Sequence, residues 1–250
     1  MRPLTEFLYR LLSALPPRLR DHPPLLGIRN KLRHWEVLRR TADLVNEPAY
    51  RQNIEDRRFK VVFVSPIYNS FPLLALSLIE QTYTNWELLF IHDGPSDELD
   101  RNSKAIIDSD SRIRFIETTQ RANDWGHTPR QIGFEELRKN RESGDFMVVS
   151  NSDNYHVPGY IEKMLEHFDD GIQAVYCDMV HEYYSWRNFE TRLEYSFVDC
   201  GCVMTRSEIA LKAGWNDNTY EGDWKYVADL IGLCGTKAFR KVKATLFVHS

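Results

Sequence analysis

Four cysteines in 250 residues are too few and too badly spaced to frame this chain. Cys177, Cys200, Cys202 and Cys234 form no CxxC pair and no zinc-ligand spacing. They read as buried free thiols of a reducing compartment. No apolar run reaches the roughly 18–20 residues that a membrane span requires. The opening stretch "MRPLTEFLYRLLSALPPRLR" has neither the continuous apolar segment nor the small-residue cleavage site of a secretory signal. No GxGxxG follows a strand and no GxxxxGK[ST] occurs, so nicotinamide-type dinucleotide folds and P-loop enzymes are unsupported. Internal repeats and low-complexity tracts are also missing. These absences together lead us to expect a cytoplasmic protein.

What is present describes an ordinary globular chain. Hydrophobic residues make up 42% and charged residues 27%, enough to bury one large core. A net charge of -4 gives no sign of a nucleic-acid partner. The charge is uneven, however. Residues 1–60 hold 13 Lys and Arg against 7 Asp and Glu, so the remainder is strongly acidic. Leu4, Phe7, Leu8, Leu11, Leu12 and Leu15 recur at helical spacing until Pro16-Pro17 stops them. A second basic helical stretch follows in "IRNKLRHWEVLRRTADLV". Residues 1–59 therefore read as a basic amphipathic helical arm before a single domain at 60–250. The arm either packs on the body or lies on an anionic membrane, which would place the protein peripherally at the inner membrane face.

From Lys60 onward, strand-like and helical patterns alternate. "KVVFVSP", "WELLFIH", "RIRFIE", "GDFMVVS" and "QAVYCDMV" predict five strands, and "FPLLALSLIEQTY" a helix after the first of them. Such alternation indicates a parallel sheet covered on both faces. Beyond Cys177 come aromatic-rich "HEYYSWRNF", a strand-like "FVDCGCVMT" that would put Cys200 and Cys202 on one core-facing side, and helices in "RSEIALKAG" and "DWKYVADLIGL". Tyr183, Tyr184 and Trp186 read either as an aromatic platform for a sugar or as core.

Three strand exits are polar: "SPIYN" (65–69), "IHDGPSD" (91–97) and "SNSDN" (150–154). Open α/β sheets bind ligands at such exits. Acids beside a nucleotide diphosphate make sense only with a divalent cation between them, because carboxylate and phosphate otherwise repel.

The ordered set "VVFVSPIYNSFPLLALSLIEQTYTNWELLFIHDGPSD", "RQIGFEEL", "SNSDN" with "VPGYIEKM", "LKAGW", "GDW" and "LFVHS" resembles the family 2 inverting glycosyltransferases of GT-A fold. The resemblance covers roughly 60–250. It implies a Rossmann-like α/β domain with a mixed central sheet flanked by helices. It also implies a nucleotide-sugar donor, most readily a UDP-sugar, a glycan or lipid-linked acceptor, and Mn²⁺ or Mg²⁺. Carried onto matching positions, it implies that Pro66 and Tyr68 border the base, that Asp93 hydrogen-bonds it and that Arg130 contacts the nucleotide. Asn151 and Ser152, just before the metal acid Asp153, would bind the nucleotide on its ribose side; His249 would be a second metal ligand, and Asp223 the general base.

Each role has a plainer rival. Tyr68 packs, Asp93 closes a turn, Asp153 caps the helix after Pro158, and Asp223 is a first-turn acid favoured by the helix dipole. Two departures from the family pattern stand out: His92 where an acid is usual, and Asn151 for the first acid of Asp-x-Asp. They motivate a second reading, a catalytically silent carbohydrate- or nucleotide-binding module. A sugar-1-phosphate nucleotidylyltransferase would want a Gly-rich basic loop after the first strand, and "SPIYNSFP" is neither.

Overall fold

The computed structural model describes residues 59–249, apart from 69, 141–143 and 183–185, together with seven isolated positions nearer the N-terminus. Apart from those seven and Phe59, the expected arm lies outside the described residues, as do Tyr183 and Tyr184.

The chain begins its sheet with β1 (Val61–Ile67), buried at every position except Pro66. A strand with no alternation needs cover on both faces. Parallel partners flank it: β2 (Trp86–His92) on one side and β4 (Phe146–Val149) on the other. β3 (Ile113–Glu117) extends the parallel half beyond β2. Helices α1 (Leu73–Ile79), α2 (Arg101–Ile107) and α3 (His127–Asn140) make the crossovers. The Asp100 carboxylate caps α2 by accepting from the amides of Asn102 and Ser103.

Past β4 the sheet changes character. After β5 (Tyr155–His156), α4 (Tyr160–Leu165), β6 (Ala174–His181) and β7 (Arg187–Phe189) come β8 (Val203–Arg206), α5 (Ser207–Ala213), α6 (Gly222–Cys234) and β9 (Phe239–His249). The order across the sheet is β3-β2-β1-β4-β8-β6-β9-β5, with β7 beside β6. β8 runs antiparallel to both β4 and β6, and β9 runs parallel to β6. The sheet is therefore mixed, as the family resemblance implies, and the parallel pattern read from the strand–helix alternation ends at β8. Between β6 and β8 the described residues form only β7 and 3-10 turns and no α-helix, so nothing carries the chain across to a parallel position.

Three local expectations also change. The first helix stops at Ile79 instead of running to Tyr83. Gln81 Nε2 donates to the Val157 carbonyl at 2.8 Å, and the Tyr83 hydroxyl donates to the Phe59 carbonyl at 2.6 Å. The Thr82 backbone amide, which would continue the helix, donates instead to the Pro158 carbonyl at 2.9 Å. Cys200–Cys202 form a 3-10 turn before β8 and not a strand, because the Asp199 carboxylate caps the Gly201 amide at 2.7 Å. Trp186 is buried, so it is no exposed sugar platform. Cys177, Cys200 and Cys202 are buried free thiols, as expected, and Cys234 is half-buried.

This topology decides where the site lies. From β1 the chain goes to β2 and β3 on one side, then returns to β4 on the other. The crevice at the carboxyl ends of β1 and β4 is thus a topological switch point. β6 and β9 point the same way as β1, so their last residues, His181 and His249, reach the same edge in register. The turn entering β8 reaches it as well. Among the described residues no helix is long and apolar enough to cross a membrane.

Candidate active site

A cleft of about 890 Å³ opens at that edge, and every residue to which the family resemblance assigns a role lines it: Pro66, Tyr68, Asp93, Arg130, Asn151, Ser152, Asp153, Asp223 and His249. His92 does not; it is fully buried, and its Nδ1 donates to the Gly94 carbonyl at 2.8 Å. This departure from the family pattern therefore lies beneath the site and not in it.

At the β1–β2 end, Asp93 is buried and both its oxygens accept backbone amides. Oδ1 takes Ala122 N–H at 2.7 Å and Oδ2 takes Asn123 N–H at 2.9 Å. The carboxylate thereby fixes the loop before α3, which lays the Arg121 guanidinium 3.5 Å over the Tyr68 ring. Gly126 in that loop has φ +81°, and a Cβ there would sit 2.7 Å from Pro66. Only glycine allows this approach.

At the β4 exit, the Asn154 amide donates to the Asn151 carbonyl at 3.1 Å, closing a turn with Asp153 at its corner. The Ser152 hydroxyl lies 2.6 Å from that of Ser70, and its carbonyl accepts from Leu74 N–H, so the loops after β1 and β4 are tied together. Asp153 is not a helix cap: α4 has Gly159 at that position, with no side-chain bond. Arg130 is buried, donates to Asn151 Oδ1 and, at 3.0 Å, to the Trp125 carbonyl. The amide oxygen of Asn151 therefore already accepts one hydrogen bond, from Arg130.

The third wall is built by the C-terminal half. Asp223 stands in the first turn of α6, and its Oδ1 accepts the Cys200 thiol at 3.0 Å. Gly222 beside it is close-packed, since a Cβ would meet His127 at 2.6 Å and Trp215 at 3.0 Å. Trp215 Nε1 donates to His127 Nδ1 at 2.9 Å. Burial and then the Arg130 charge lower the His127 pKa, which keeps this ring neutral.

Asp199 is the residue that the sequence reading missed. It is buried in the cleft wall, with Oδ2 3.4 Å from His249 Nε2. Burial, and after it the charge of Asp223, raises its pKa to about 6. A lone acid in the apolar run "FVDCGCVM" was the available signal. His249 also stacks on His181, with ring centroids 4.1 Å apart and 14° between planes. Burial and the neighbouring His249 take the His181 pKa down to about 4.

Among the described residues, no three His, Cys, Asp or Glu side chains form a group that could hold a metal ion. A divalent cation here would have one carboxylate and one imidazole from the protein, Asp153 and His249, and would need diphosphate oxygens and water for the rest. That donor set suits Mn²⁺ or Mg²⁺ at a substrate-completed site.

Comparison with known proteins gives a consistent picture. The family model described as glycosyl transferase family 2 matches residues 63–240. A protein of Haemophilus influenzae named as an uncharacterized glycosyltransferase is 31% identical over 108 residues, 42% of this chain and 40% of that one. The glycosyltransferase GlyG of Streptococcus pneumoniae serotype 4 is 24% identical over 188 residues, 74% of this chain and 56% of its own length. The matches thus span about half, or less, of these relatives. Among solved structures, the mannosyltransferase PcManGT of Pyrobaculum calidifontis, in complex with GDP-Man and Mn²⁺, superposes with a TM-score of 0.55 at 14% identity. It covers 91% of this chain and 67% of that one. Glucosyl-3-phosphoglycerate synthase of Mycobacterium tuberculosis, in complex with Mn²⁺, UDP and glucosyl-3-phosphoglycerate, gives 0.51 at 13% identity, covering 77% and 72%. At these identities the likeness is one of fold.

Proposed function

Because the chain belongs to glycosyl transferase family 2, matched over residues 63–240, we propose that it transfers a single sugar, with inversion, from a nucleotide-diphosphate sugar to a glycan or lipid-linked acceptor. A UDP-sugar is the favoured donor. The observation that carries this reading is the meeting, in one cleft, of Tyr68 and Asp93 from the β1–β2 end, Asp153 from the β4 exit, His249 from β9 and Asp223 from α6.

The chemistry divides along the cleft. Pro66 and Tyr68 border the nucleobase, and Asp93 acts on it through the loop that it clamps. Arg130, held by Asn151, places positive charge towards the phosphates. Asp153 and His249 hold the divalent ion, which when bound supplies Lewis-acid neutralisation of the departing diphosphate. Asp223 accepts the proton of the acceptor hydroxyl while the hydroxyl oxygen forms its bond to the anomeric carbon. The bond from that carbon to the diphosphate oxygen breaks on the opposite face, and its electron pair leaves with the nucleotide. One displacement inverts the centre. Buried Asp199, beside His249, holds the imidazole in orientation.

Calorimetric titration with UDP and with GDP, each with Mn²⁺, tests the donor side. Wild-type protein is expected to bind one of them, and Asp153→Asn to lose most of that binding, since an amide is a weak substitute for an anionic oxygen ligand. Asn151→Asp is expected to change affinity by about tenfold or less, the worth of one altered hydrogen bond. Metal-dependent binding seen only in Asn151→Asp would instead support the silent-module reading.

A further inference from the structure

Among described residues 59–249, five large apolar side chains are exposed: Ile79, Trp125, Tyr195, Tyr220 and Leu233. The two aliphatic ones lie elsewhere. The three aromatic ones all line the cleft, with Trp125 71% and Tyr220 80% exposed. They come from three separate segments, yet each is tied to the turn that carries Asp223. Tyr220 precedes that turn directly. The Tyr195 hydroxyl donates to Glu221 at 3.1 Å. Trp125 stands two residues before His127, whose ring packs against Gly222.

From this arrangement we infer that the acceptor is an extended glycan whose sugar rings stack on Trp125, Tyr195 and Tyr220 around Asp223. The inference rests on the glycosyl-transfer reading and adds the acceptor class to it. A pyranose offers one face of polarised C–H bonds, which suits the negative face of an aromatic ring, and a girdle of hydroxyls that needs polar neighbours. The rim supplies both: aromatic faces, with Glu221, Asn123 and Ser196 lining the same cleft. An alkyl chain would call for exposed aliphatic lining, and no exposed aliphatic residue described lies there. The ring positions are also held. Trp125 adopts φ +56° and Ser196 φ +64°, conformations that bulky or ordinary L-residues avoid. The Asp93 clamp on Ala122 and Asn123 and the Arg130 bond to the Trp125 carbonyl keep the first of these in place. Three aromatic faces on separate segments match more than one sugar unit.

The test is calorimetric titration of the full chain with maltotetraose, cellotetraose, chitotetraose and mannotetraose, each beside its monosaccharide, with UDP and Mn²⁺ titrated separately. At least one tetraose is expected to bind more tightly than its monosaccharide. Trp125→Ala and Tyr220→Ala should weaken that binding by about tenfold, the usual effect of truncating an anchor, while Tyr220→Trp preserves it. Thermal midpoints and UDP affinity serve as controls, because side chains this exposed can be truncated without disturbing the core. Failure of every tetraose to bind, or unchanged binding in both Ala variants, overturns the inference. So does binding to phosphatidylglycerol vesicles that the same variants lose. Absence of nucleotide binding with intact glycan binding would count against the transferase reading alone.

Discussion

Asp223 combines two features that sequence reading treats as rivals. It is a first-turn helix acid, where the exposed N–H groups favour a carboxylate, and it faces the cleft with a thiol donor on one oxygen. The second oxygen is the one available to an acceptor hydroxyl. Asp223→Asn keeps size and hydrogen-bonding capacity but cannot take a proton. Turnover is expected to fall by about 10²–10⁴-fold, the range for a positioned general base, with nucleotide affinity nearly unchanged. Steady-state kinetics with donor and acceptor, alongside UDP titration, check both halves. Near-normal turnover would remove Asp223 from the mechanism. The Asn151 departure acquires a physical account at the same scale. Its oxygen accepts from the guanidinium of buried Arg130, a task for which a neutral amide suffices.

α3 is the element on which the site's precision depends. Its N-terminal turn carries His127 and Arg130, while Phe134 and Leu137 anchor its buried face. Gly133 permits the helix to lie against β1 and β2. A Cβ there would come within 2.6 Å of Val64 and 2.8 Å of Ile91. Two effects oppose each other in Gly133→Ala. Helix propensity favours alanine by up to about 1 kcal/mol, whereas overpacking a tight contact costs about 1–3 kcal/mol. The contact distances are well below normal van der Waals separation, so the second effect wins. Urea unfolding should show a lower midpoint in the variant, and an unchanged or higher one would mean that the helix rides further from the sheet.

Across the whole molecule, the two halves of the sheet are joined beneath the cleft by His156. It is fully buried, its Nε2 donates to the Gly201 carbonyl at 3.1 Å, and its ring packs against Phe63, Tyr160 and Phe247. One residue thus touches β1, α4, β9 and the turn entering β8. Burial lowers its pKa from 6.5 to about 3. Between those values the unfolded chain binds a proton that the folded one does not. The stability that neutral His156 confers is therefore complete above pH 6.5 and is lost as pH falls towards 3, with a limiting slope of about 1.4 kcal/mol per pH unit. His156→Gln retains a donor for Gly201 and cannot titrate. Urea unfolding of both proteins from pH 4.5 to 7.5 should show a shallower pH dependence in the variant; parallel curves would refute the assignment.

Much was legible in the chain itself. Apolar runs such as "KVVFVSP" and "DFMVV" determine buried strands because local pattern and length suffice, and polar exits after them mark where a ligand site opens. The ordered motifs mark Tyr68, Asp93, Asp153, Asp223 and His249, which share one cleft. What local pattern could not decide was every feature made by residues distant in sequence. β8 runs antiparallel because of its connections, β5 consists of two residues and exists only because β9 is there to pair with it, and Gln81 leaves its helix for carbonyls 75 and 76 residues away. Asp199 joins the site through a histidine 50 positions further on, and the exposed aromatics gather from three segments whose sequences carry no shared signal. Periodicity reports what a residue does to its own element; the site was assembled by contacts between elements, which only the tertiary structure supplies.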